Sequence, residues 1–428
     1  MPDTSSDILI TGGGAAGICA ALGARHLARS RGLSDAAFRI TLLERNPRLG
    51  IKIRISGGGK CNITHAGEMQ AVLAEGFSQQ GEQRFLKPAF FTLTNAEVLR
   101  WLHAKGVPTF ARENGRVFPT SGKALDVLTA FEQCLDDHRI DVRTGVRAGN
   151  VRRTENGFEV STAQGPFTAP FLILATGGVS YQKTGTTGDG LRFATSLGHT
   201  LAPLQAALAP VYFKSKPHND LVGVSLRKVG LIVKSAQTQF RRVDDVLITH
   251  LGISGPACLS ISREVAAAAA MKLPQQVLID FFPATNEHVL DAELIGRSKS
   301  TPQQFVRTFF ESVFPASLSR FVFEAAGVSI TQLWRALTKD ERKRLLQTVK
   351  AFPLGDVGGV PVDKGEVSAG GVNLKEVNAK TMASRLVPHL YLAGEMLDIA
   401  GEVGGFNLQA AYSTGWVAGI HAASQAIE

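Results

Sequence analysis

Near the start of the chain, apolar and polar positions follow the order strand, turn, helix, strand. The apolar run Ser6–Thr11 predicts a short buried strand, and the glycine-rich stretch Gly12–Gly17 after it predicts a tight turn. Apolar residues recur at helical spacing over Ile18–Arg29, and a second apolar run covers Arg39–Glu44. This order favours a parallel βαβ unit.

The rest of the pattern divides the chain into further parts. Residues 200–284 carry short strand-like runs, whereas residues 285–350 have mostly helical spacing. From residue 351 the chain returns to strands and glycine turns, and it closes with a helix predicted over Asn407–Ile420. We therefore predict an α/β fold with one discontinuous domain, residues 1–199 and 351–428. A β-rich domain (200–284) and a helical domain (285–350) interrupt it.

Composition excludes several classes of protein. Of the 428 residues, 44% are hydrophobic and 19% are charged, so the chain can bury an ordinary core and is not disordered as a whole. We expect no membrane span, because no apolar run is long enough, and no leader peptide at the polar N-terminus. The four cysteines lack the spacing of a redox dithiol or a metal site. We therefore expect free thiols, a cytoplasmic location and no bound metal.

The net charge of +9 leaves two interpretations open. One is a generally basic surface, and the other is attraction to an anionic partner such as a nucleotide, an acidic metabolite or a nucleic acid. Lys and Arg are scattered, and only three Trp and four Tyr could stack on bases. We therefore expect a small-molecule substrate rather than a nucleic acid, and the sequence indicates no oligomeric state.

The glycine turn has the spacing of a dinucleotide-binding motif. Gly12 lets the chain turn tightly, Gly14 lets the backbone approach a diphosphate, and Gly17 lets the helix pack close to the strand. The helix N-terminus then faces the phosphates with free N–H groups and a partial positive charge. Glu44 ends the next strand, where a carboxylate can accept hydrogen bonds from a ribose diol and would repel a 2′-phosphate.

Two later strands distinguish FAD from NAD as the dinucleotide. Leu172–Gly178 and Leu390–Glu395 are apolar strands that end in small residues, as is needed where a strand end lies against a bulky planar ligand. A simple NAD-dependent dehydrogenase needs neither, whereas FAD-binding domains of the glutathione-reductase class use both. We therefore predict a Rossmann-like FAD-binding domain of that class, with Thr176, Gly177 and Gly178 beside the cofactor.

The basic, glycine-rich segment between Arg45 and Asn62 predicts an irregular loop that cradles the cofactor. Small residues from Ser56 let backbone N–H groups face a ligand, and Lys52 and Lys60 can neutralise a diphosphate or a reduced flavin. Cys61 has no partner cysteine and cannot cycle as a dithiol. We interpret it as a packing or flavin-contact residue.

Six segments of the chain together carry a family resemblance: Arg54–Thr64, Phe118–Ala124, Thr249–Pro256, Ala369–Val372, Gly394–Asp398 and Gly404–Gln409. They resemble the aminoacetone-oxidase-like family of bacterial FAD-binding oxidoreductases, which includes reductases of bile-acid intermediates. The resemblance implies a discontinuous FAD domain with a β-rich and a helical insertion. Thr187–Gly190 and the pair Gly394-Glu395 also look like segments of fumarate reductase flavoproteins, in which the matching Asp and Glu lie against FAD.

Motif and resemblance together predict the cofactor-binding residues. The last helix would point its N-terminus at the flavin ring, with Asn407 as its cap and Gly405 kept small by the ring. The complete set is Gly12, Gly14, Ala15, Ala16, Gly17, Glu44, Arg45, Lys52, Ser56, Gly57, Gly59, Lys60, Cys61, Asn62, Thr64, Val146, Thr176, Gly177, Gly178, Asp189, Gly394, Glu395, Asp398, Gly405, Asn407 and Leu408.

A second group is predicted to contact substrate. His250 and Ser254 precede a helix that starts near Pro256, and they could form an anion site for substrate or for a nicotinamide phosphate. An equally good interpretation is that His250 only stabilises a domain contact. Gly371, in the segment Ala369–Val372 that carries part of the family resemblance, completes this group. No residue can be assigned as the catalytic acid or base.

We therefore expect an FAD-dependent oxidoreductase that passes electrons between a small organic substrate and either NAD(P)H or oxygen. No second GxGxxG unit occurs, so NAD(P)H would have to dock transiently. Two alternatives remain open. One is a nucleic-acid-associated flavoprotein of the tRNA-modifying type, and the other is a flavin-bound scaffold without turnover.

Overall fold

The computed structural model describes residues 4–428 and contains thirteen α-helices within that range. The helices are α1 Ala15–Ser30, α2 Ile51–Gly59, α3 Met69–Gly76, α4 Gln80–Thr92, α5 Asn95–Ala104, α6 Ala124–Asp137, α7 Asp189–Ser196, α8 Pro256–Ala270, α9 Glu287–Ser300, α10 Val306–Phe310, α11 Ala316–Ala326, α12 Lys339–Lys350 and α13 Phe406–Ile427.

Nineteen strands accompany these helices in the described part of the chain. They are β1 Ile8–Thr11, β2 Ile40–Glu44, β3 Thr64–His65, β4 Thr109–Ala111, β5 Arg116–Pro119, β6 Asp141–Thr144, β7 Asn150–Thr154, β8 Gly157–Ser161, β9 Phe167–Ala169, β10 Phe171–Leu174, β11 Leu201–Ala207, β12 Val211–Phe213, β13 Ser225–Lys234, β14 Gln239–Ile248, β15 Gly252–Ser254, β16 Gln276–Asp280, β17 Phe352–Gly359, β18 Val367–Val372 and β19 Leu390–Leu392.

The chain forms two compact units, and the first contains residues from both ends of the sequence. It consists of residues 1–205 and 366–428, and residues 206–365 form the second unit. Each unit has its own apolar core.

The first unit is built on a five-stranded parallel sheet in the order β19-β10-β1-β2-β6. The strands β1, β2, β10 and β19 are buried along their whole length, which is why they appear in the sequence as continuous apolar runs. The Rossmann-like α/β fold predicted from the sequence is confirmed. The central strand β1 lies between β10 and β2, so the ends of all three strands meet at one edge.

Close packing of α1 against α13 joins the two ends of the chain. Small residues make this approach possible: an added Cβ at Gly415 would lie 2.1 Å from the carbonyl oxygen of Ala16. At Gly419 it would lie 2.0 Å from the carbonyl oxygen of Ala20. Any side chain at either position would push the helices apart, so these glycines hold the C-terminal helix beside the first βαβ unit.

The second unit is a closed six-stranded barrel in the order β12-β15-β14-β13-β16-β17, and its core also includes side chains of α8, α9, α11 and α12. The return to the cofactor domain differs from the expectation. We predicted it at residue 351, whereas Phe352–Gly359 forms the barrel strand β17, paired with β12 and β16. Its glycines resembled the glycine-rich turns of the cofactor domain, but the pairing partners are barrel strands.

Candidate functional site

The N-terminus of α1 has the features of a phosphate-binding helix end. Gly14 is its N-cap, no side chain caps it, and its first turn carries no acidic residue. A Cβ added at Gly14 would meet nothing within 4 Å, so open space lies directly in front of the turn. The hydroxyl of Thr11, at the end of β1, is buried and has no hydrogen-bond partner in residues 4–428. Orphan N–H groups beside open space fit the diphosphate of a dinucleotide such as FAD.

The other two glycines of the motif are required by backbone contacts. Gly12 has a φ of +101°, and a Cβ there would lie 2.4 Å from the carbonyl oxygen of Ala175. A Cβ at Gly17 would lie 1.8 Å from the carbonyl oxygen of Gly12. Strand, turn and helix are therefore packed too closely for any side chain at these two positions.

Glu44 organises the turn from the end of β2. Its Oε2 accepts a hydrogen bond from the Gly13 N–H at 2.7 Å, and its Oε1 accepts one from the Asn46 N–H at 2.7 Å. Burial raises the pKa of the Glu44 carboxyl, although the hydrogen bonds from Asn46 and Gly13 oppose the rise. Glu44 therefore shapes the glycine turn in addition to its predicted contact with ribose. The backbone N–H of Val146 donates to the Glu44 carbonyl at 2.9 Å and places the buried Val146 beside it.

Asp189 lies within a group of arginines. Its carboxylate is 3.0 Å from Arg147, 3.4 Å from Arg192 and 3.6 Å from Arg45. Burial opposes ionisation, but hydrogen bonds and charge from Arg147 and Arg192 keep the pKa of Asp189 below its usual value. Arg45 also donates to Thr187 at 2.8 Å. Within the protein, Asp189 and Arg45 thus fasten the start of α7 to the end of β2, and their contact with FAD stays a prediction.

The glycine-rich loop is partly helical, contrary to our expectation of an irregular segment. Residues Ile51–Gly59 form α2, which breaks at Ser56, where ψ is 149°, and continues through left-handed Gly57 and Gly58. The local sequence concealed the helix because isoleucine alternates with charged residues over its first turns, a pattern typical of a strand. Added Cβ atoms at Gly58 and Gly59 would meet nothing within 4 Å, so the loop leaves space beside its backbone.

Cys61 and Asn62 follow the break and are buried. Cys61 has a φ of +57°, and burial raises the pKa of its thiol to about 12. The Asn62 side-chain oxygen, in its hydrogen-bonded orientation, accepts from the Gly405 N–H at 2.9 Å. This contact joins the loop to the start of α13. Lys60, next to them, is exposed.

The start of α13 corrects the assignment of Asn407 as its cap. Gly405, not Asn407, is the N-cap, and Asn407 lies inside the first turn. The Asn407 side chain accepts from the Gly401 N–H and donates to the Gly401 carbonyl, both at 2.8 Å, so it fixes the preceding loop. Gly405 must be small because a Cβ would lie 2.5 Å from the carbonyl group of Thr64. The buried Thr64 hydroxyl in turn bonds Gln409 at 2.7 Å. Leu408 is a partly buried side chain packed on the core.

Lys52 and Glu395 form the centre of a cluster that we name the Lys52–Glu395 cluster. The Lys52 ammonium lies 2.5 Å from Glu395 Oε2 and 2.7 Å from the Ser180 hydroxyl. Ser180 donates to Glu395 Oε1 at 2.9 Å, and the Ser368 N–H donates to the same oxygen at 3.0 Å. With side chains 26% and 17% exposed, the ion pair is largely shielded from water. The cluster brings together α2, the loop after β10, β18 and the turn after β19.

The residues after β10 make room for this cluster. A Cβ at Gly178 would lie 2.1 Å from the Ser368 hydroxyl and 3.1 Å from Glu395. A Cβ at Gly177, where φ is +77°, would meet Thr186 at 2.9 Å. The hydroxyl of Thr176 is buried and has no hydrogen-bond partner among residues 4–428.

Small residues also pack the turn after β19. A Cβ at Gly394 would lie 2.7 Å from the side chain of Ala16, while Ala15 and Ala16 themselves are buried on α1. A Cβ at Gly371 would lie 2.5 Å from the carbonyl oxygen of Met396, so close backbone packing explains this glycine. The Asp398 N–H donates to the Val372 carbonyl at 3.1 Å.

The predicted substrate residues are divided between the two units. His250 and Ser254 lie in the barrel, where His250 is exposed and Ser254 ends β15. Helix α8 begins at Pro256 as expected, with Gly255 as its N-cap. Gly371 lies in the first unit. The role of all three residues in substrate binding stays a prediction.

Sequence reasoning missed four residues of the cluster and its surroundings: Ser180, Tyr181, Glu366 and Ser368. Ser180 and Tyr181 lie two and three residues after Gly178, the end of the strand motif, and Glu366 and Ser368 lie three residues and one residue before Ala369. Segments three residues longer would therefore have included all four. They were missed because no local pattern pairs residues so far apart in the chain.

Residues 4–428 lack two features. No group of three or more His, Cys, Asp or Glu side chains is placed to hold a metal ion. In the same residues, no helix is both long and apolar enough to cross a membrane.

The fold and the site together define an FAD-binding oxidoreductase with a Rossmann-type cofactor domain. The family model described as "HI0933-like protein Rossmann domain" matches residues 6–421, and the chain belongs to this family.

Named relatives match over the full chain. A "3-dehydro-bile acid delta(4,6)-reductase" of Clostridium scindens is 31% identical, over 97% of this chain and 98% of that protein. A "Ribosomal RNA dihydrouridine synthase" of Haemophilus influenzae is 28% identical, over 98% and 99%. Among solved structures, a quinol-fumarate reductase with menaquinol has a TM-score of 0.51 at 14% identity, covering 100% of this chain and 72% of that one. This last likeness concerns the fold alone.

Proposed function

We propose that this protein is an NAD(P)H-dependent reductase of carbon–carbon double bonds conjugated to a carbonyl group. The observation that carries the proposal is the full-length match to two relatives with reductive names. A 3-dehydro bile acid has a 3-oxo group, and its double bonds at positions 4 and 6 are conjugated to it. Dihydrouridine arises when the ring double bond of uridine, conjugated to a carbonyl, is saturated. The two substrates share this reacting unit and little else.

Bound FAD, once reduced, supplies the hydride for such a reaction. The protein's own contribution begins with α1, whose free N–H groups fit the diphosphate, and Glu44, which shapes the glycine turn. Lys52 places a positive charge in a partly shielded cluster, where it can stabilise negative charge that develops during electron transfer. Glu395 and Ser180 hold the ammonium in position.

NAD(P)H is the reductant that we propose. The sequence contains no second glycine motif for a permanent nicotinamide site, so NAD(P)H would dock transiently. The resemblance to aminoacetone-oxidase-like flavoproteins leads to an oxidase as the competing proposal. We favour the reductase because both named relatives are reductive. A reaction that consumes NAD(P)H and a chain with four free cysteines both suit the cytoplasm.

A second candidate is the same reduction on a uridine of RNA. The excess positive charge favours it, since the second unit contains twenty Lys and Arg residues against fourteen Asp and Glu residues. Our expectation of a small-molecule substrate rests on the scattered positions of Lys and Arg and on the scarcity of Trp and Tyr. The charge and the aromatic content thus favour different substrates with the same reactive bond.

The test is anaerobic mixing of the holoprotein with NADH or NADPH, followed by one oxidant at a time. We expect the visible flavin absorbance to be lost with one nicotinamide and to return with a 3-oxo-Δ4,6 steroid or with ribosomal RNA that lacks dihydrouridine. Return with RNA alone would select the second candidate. Bleaching by aminoacetone, with no bleaching by either nicotinamide, would establish the oxidase and contradict the reductase.

A further inference from the structure

Tyr181 lies beside the Lys52–Glu395 cluster. It follows Ser180, whose hydroxyl contacts both Lys52 and Glu395. The backbone carbonyl of Tyr181 accepts from the Thr184 N–H at 2.7 Å and from the Thr184 hydroxyl at 2.8 Å. The turn that carries Tyr181 is therefore fixed to the cluster on one side and to Thr184 on the other.

The backbone of Tyr181 is strained. Its φ of 48° and ψ of 54° are left-handed, a conformation that is unfavourable for a non-glycine residue. The surrounding hydrogen bonds maintain it. Such strain persists where the neighbouring structure requires one orientation of a side chain, and it concentrates at functional sites.

The Tyr181 hydroxyl is available for chemistry. The ring is half-buried, and the hydroxyl makes no hydrogen bond to any residue in 4–428. Burial and the nearby Glu366 carboxyl raise the pKa of Tyr181 above its ordinary value, so it holds its proton at neutral pH. Burial also raises the pKa of Glu366, against the opposing charges of Lys52 and Arg116. The O–H of Tyr181 is thus unpaired, and its phenol interacts electrostatically with the carboxyl group of Glu366.

Resting on the proposed function, we propose that Tyr181 donates the proton that completes reduction of the conjugated double bond. The carbon β to the carbonyl receives a hydride, which brings both electrons, from FAD reduced by NAD(P)H. The Tyr181 O–H bond breaks, and its proton forms the new C–H bond at the α-carbon. The phenolate then regains a proton from Glu366 or from water, and the double bond has gained two hydrogens and two electrons.

Turnover consists of two half-reactions, flavin reduction by NAD(P)H and flavin reoxidation by the substrate. A proton donor to the substrate takes part only in the second. In stopped-flow experiments we expect Tyr181→Phe to be reduced by NAD(P)H at the wild-type rate. We expect its reoxidation by the 3-oxo-Δ4,6 steroid or RNA to be slowed about 100-fold or more, the usual range for loss of a general acid. Tyr212→Phe makes the same chemical change at a tyrosine of the barrel strand β12 and serves as the matched control.

A second measurement needs no turnover. Ultraviolet titration of the cofactor-free protein follows tyrosinate formation, and the chain has four Tyr. Burial raises the pKa of both Tyr391 and Tyr412, so these two titrate late. In a Tyr212→Phe background, the first tyrosine to ionise should therefore be Tyr181. We expect Glu366→Gln to lower the pH at which it ionises, since a neutral amide no longer repels the phenolate.

The results of these experiments distinguish failure of the proposed function from failure of the proton-donor role of Tyr181. Wild-type protein that is reduced by NAD(P)H but reoxidised by no conjugated carbonyl compound overturns the proposed function and the proton-donor role together. Wild-type turnover with Tyr181→Phe within threefold of it overturns the role alone. A titration of Tyr181 that Glu366→Gln leaves unchanged overturns the coupling between the two groups. Equal loss in both half-reactions would show that Tyr181 is structural and would also overturn the role.

Discussion

The ammonium nitrogen of Lys52 lies 2.5 Å from the Oε2 of Glu395, although the two residues are 343 positions apart in the chain. One side chain comes from α2 and the other from the turn after β19, so this ion pair closes the cofactor unit across its two sequence segments. Because both side chains are largely shielded from water, loss of one partner leaves the other charge poorly compensated.

Lys52→Met should therefore lower both the stability of the apoprotein and its affinity for FAD. We expect a loss of about 1–3 kcal/mol in the free energy of unfolding, the usual cost when a charged hydrogen-bond partner is removed. Denaturant titration of the apoprotein and fluorescence titration with FAD are the measurements. Lys123→Met, at an exposed lysine outside the cluster, should change neither quantity. Equal effects in the two variants would contradict the importance of the pair.

Glu44→Ala should cost about 1–3 kcal/mol of FAD binding through the lost hydrogen bonds. Since Glu44 also accepts from the Gly13 and Asn46 N–H groups, we further expect a lower melting temperature without cofactor. Glu44→Gln should lose less, because the amide oxygen can still accept one of these bonds. Calorimetry on the apoproteins separates the two effects: an unchanged apoprotein with weaker FAD binding would mean that Glu44 acts on ribose alone.

The four cysteines should be unreactive in the native protein. All four are buried. Burial raises the pKa of Cys61 and of Cys258 to about 12 and raises those of Cys19 and Cys134 as well, so the reactive thiolate stays scarce until the pH approaches these values. A thiol-reactive dye at pH 8 should label native protein slowly and denatured protein at four sites.

Replacement of the Cys61 thiol tests the packing role assigned to this residue. Cys61→Ser should keep the flavin and most of the activity, because we assign the thiol to packing. A fall in turnover of more than about 100-fold with the flavin still bound, comparable to the loss of a catalytic group, would contradict this assignment.

The start of α13 is the last element to test. Because a Cβ at Gly405 would lie 2.5 Å from the Thr64 carbonyl, even Gly405→Ala should destabilise the apoprotein, and Gly405→Leu should bind no FAD. Asn407→Ala should loosen the loop at Gly401 and lower the melting temperature with or without FAD. Redox titration of Asn407→Ala completes the test. An unchanged melting temperature, with or without a change in the flavin potential, would contradict the anchoring of the loop by Asn407.

The sequence by itself determined the cofactor unit and its class. The order strand, glycine turn, helix, strand is visible in one short segment of sequence. The parallel strands β1, β2, β10 and β19 are buried along their whole length, so each appears as an apolar run that can be recognised without knowledge of its neighbouring strands. Gly12 and Gly17 were predictable because each serves a backbone contact within a few residues or at the end of a neighbouring strand, and Gly14 because it leaves open space in front of the helix.

The tertiary structure alone decided which side chains meet. Lys52, Ser180, Ser368 and Glu395 come from four separate segments, and no local periodicity pairs them. The assignment of β17 to the barrel likewise depends on its hydrogen-bonded neighbours, since its own glycine-rich sequence resembles the turns of the other unit. The same reason explains Gly405, whose role is set by Thr64, a residue that only the packed chain brings against it. Asn407 instead bonds Gly401, six residues before it, and its role was missed because the local pattern suggested a helix cap.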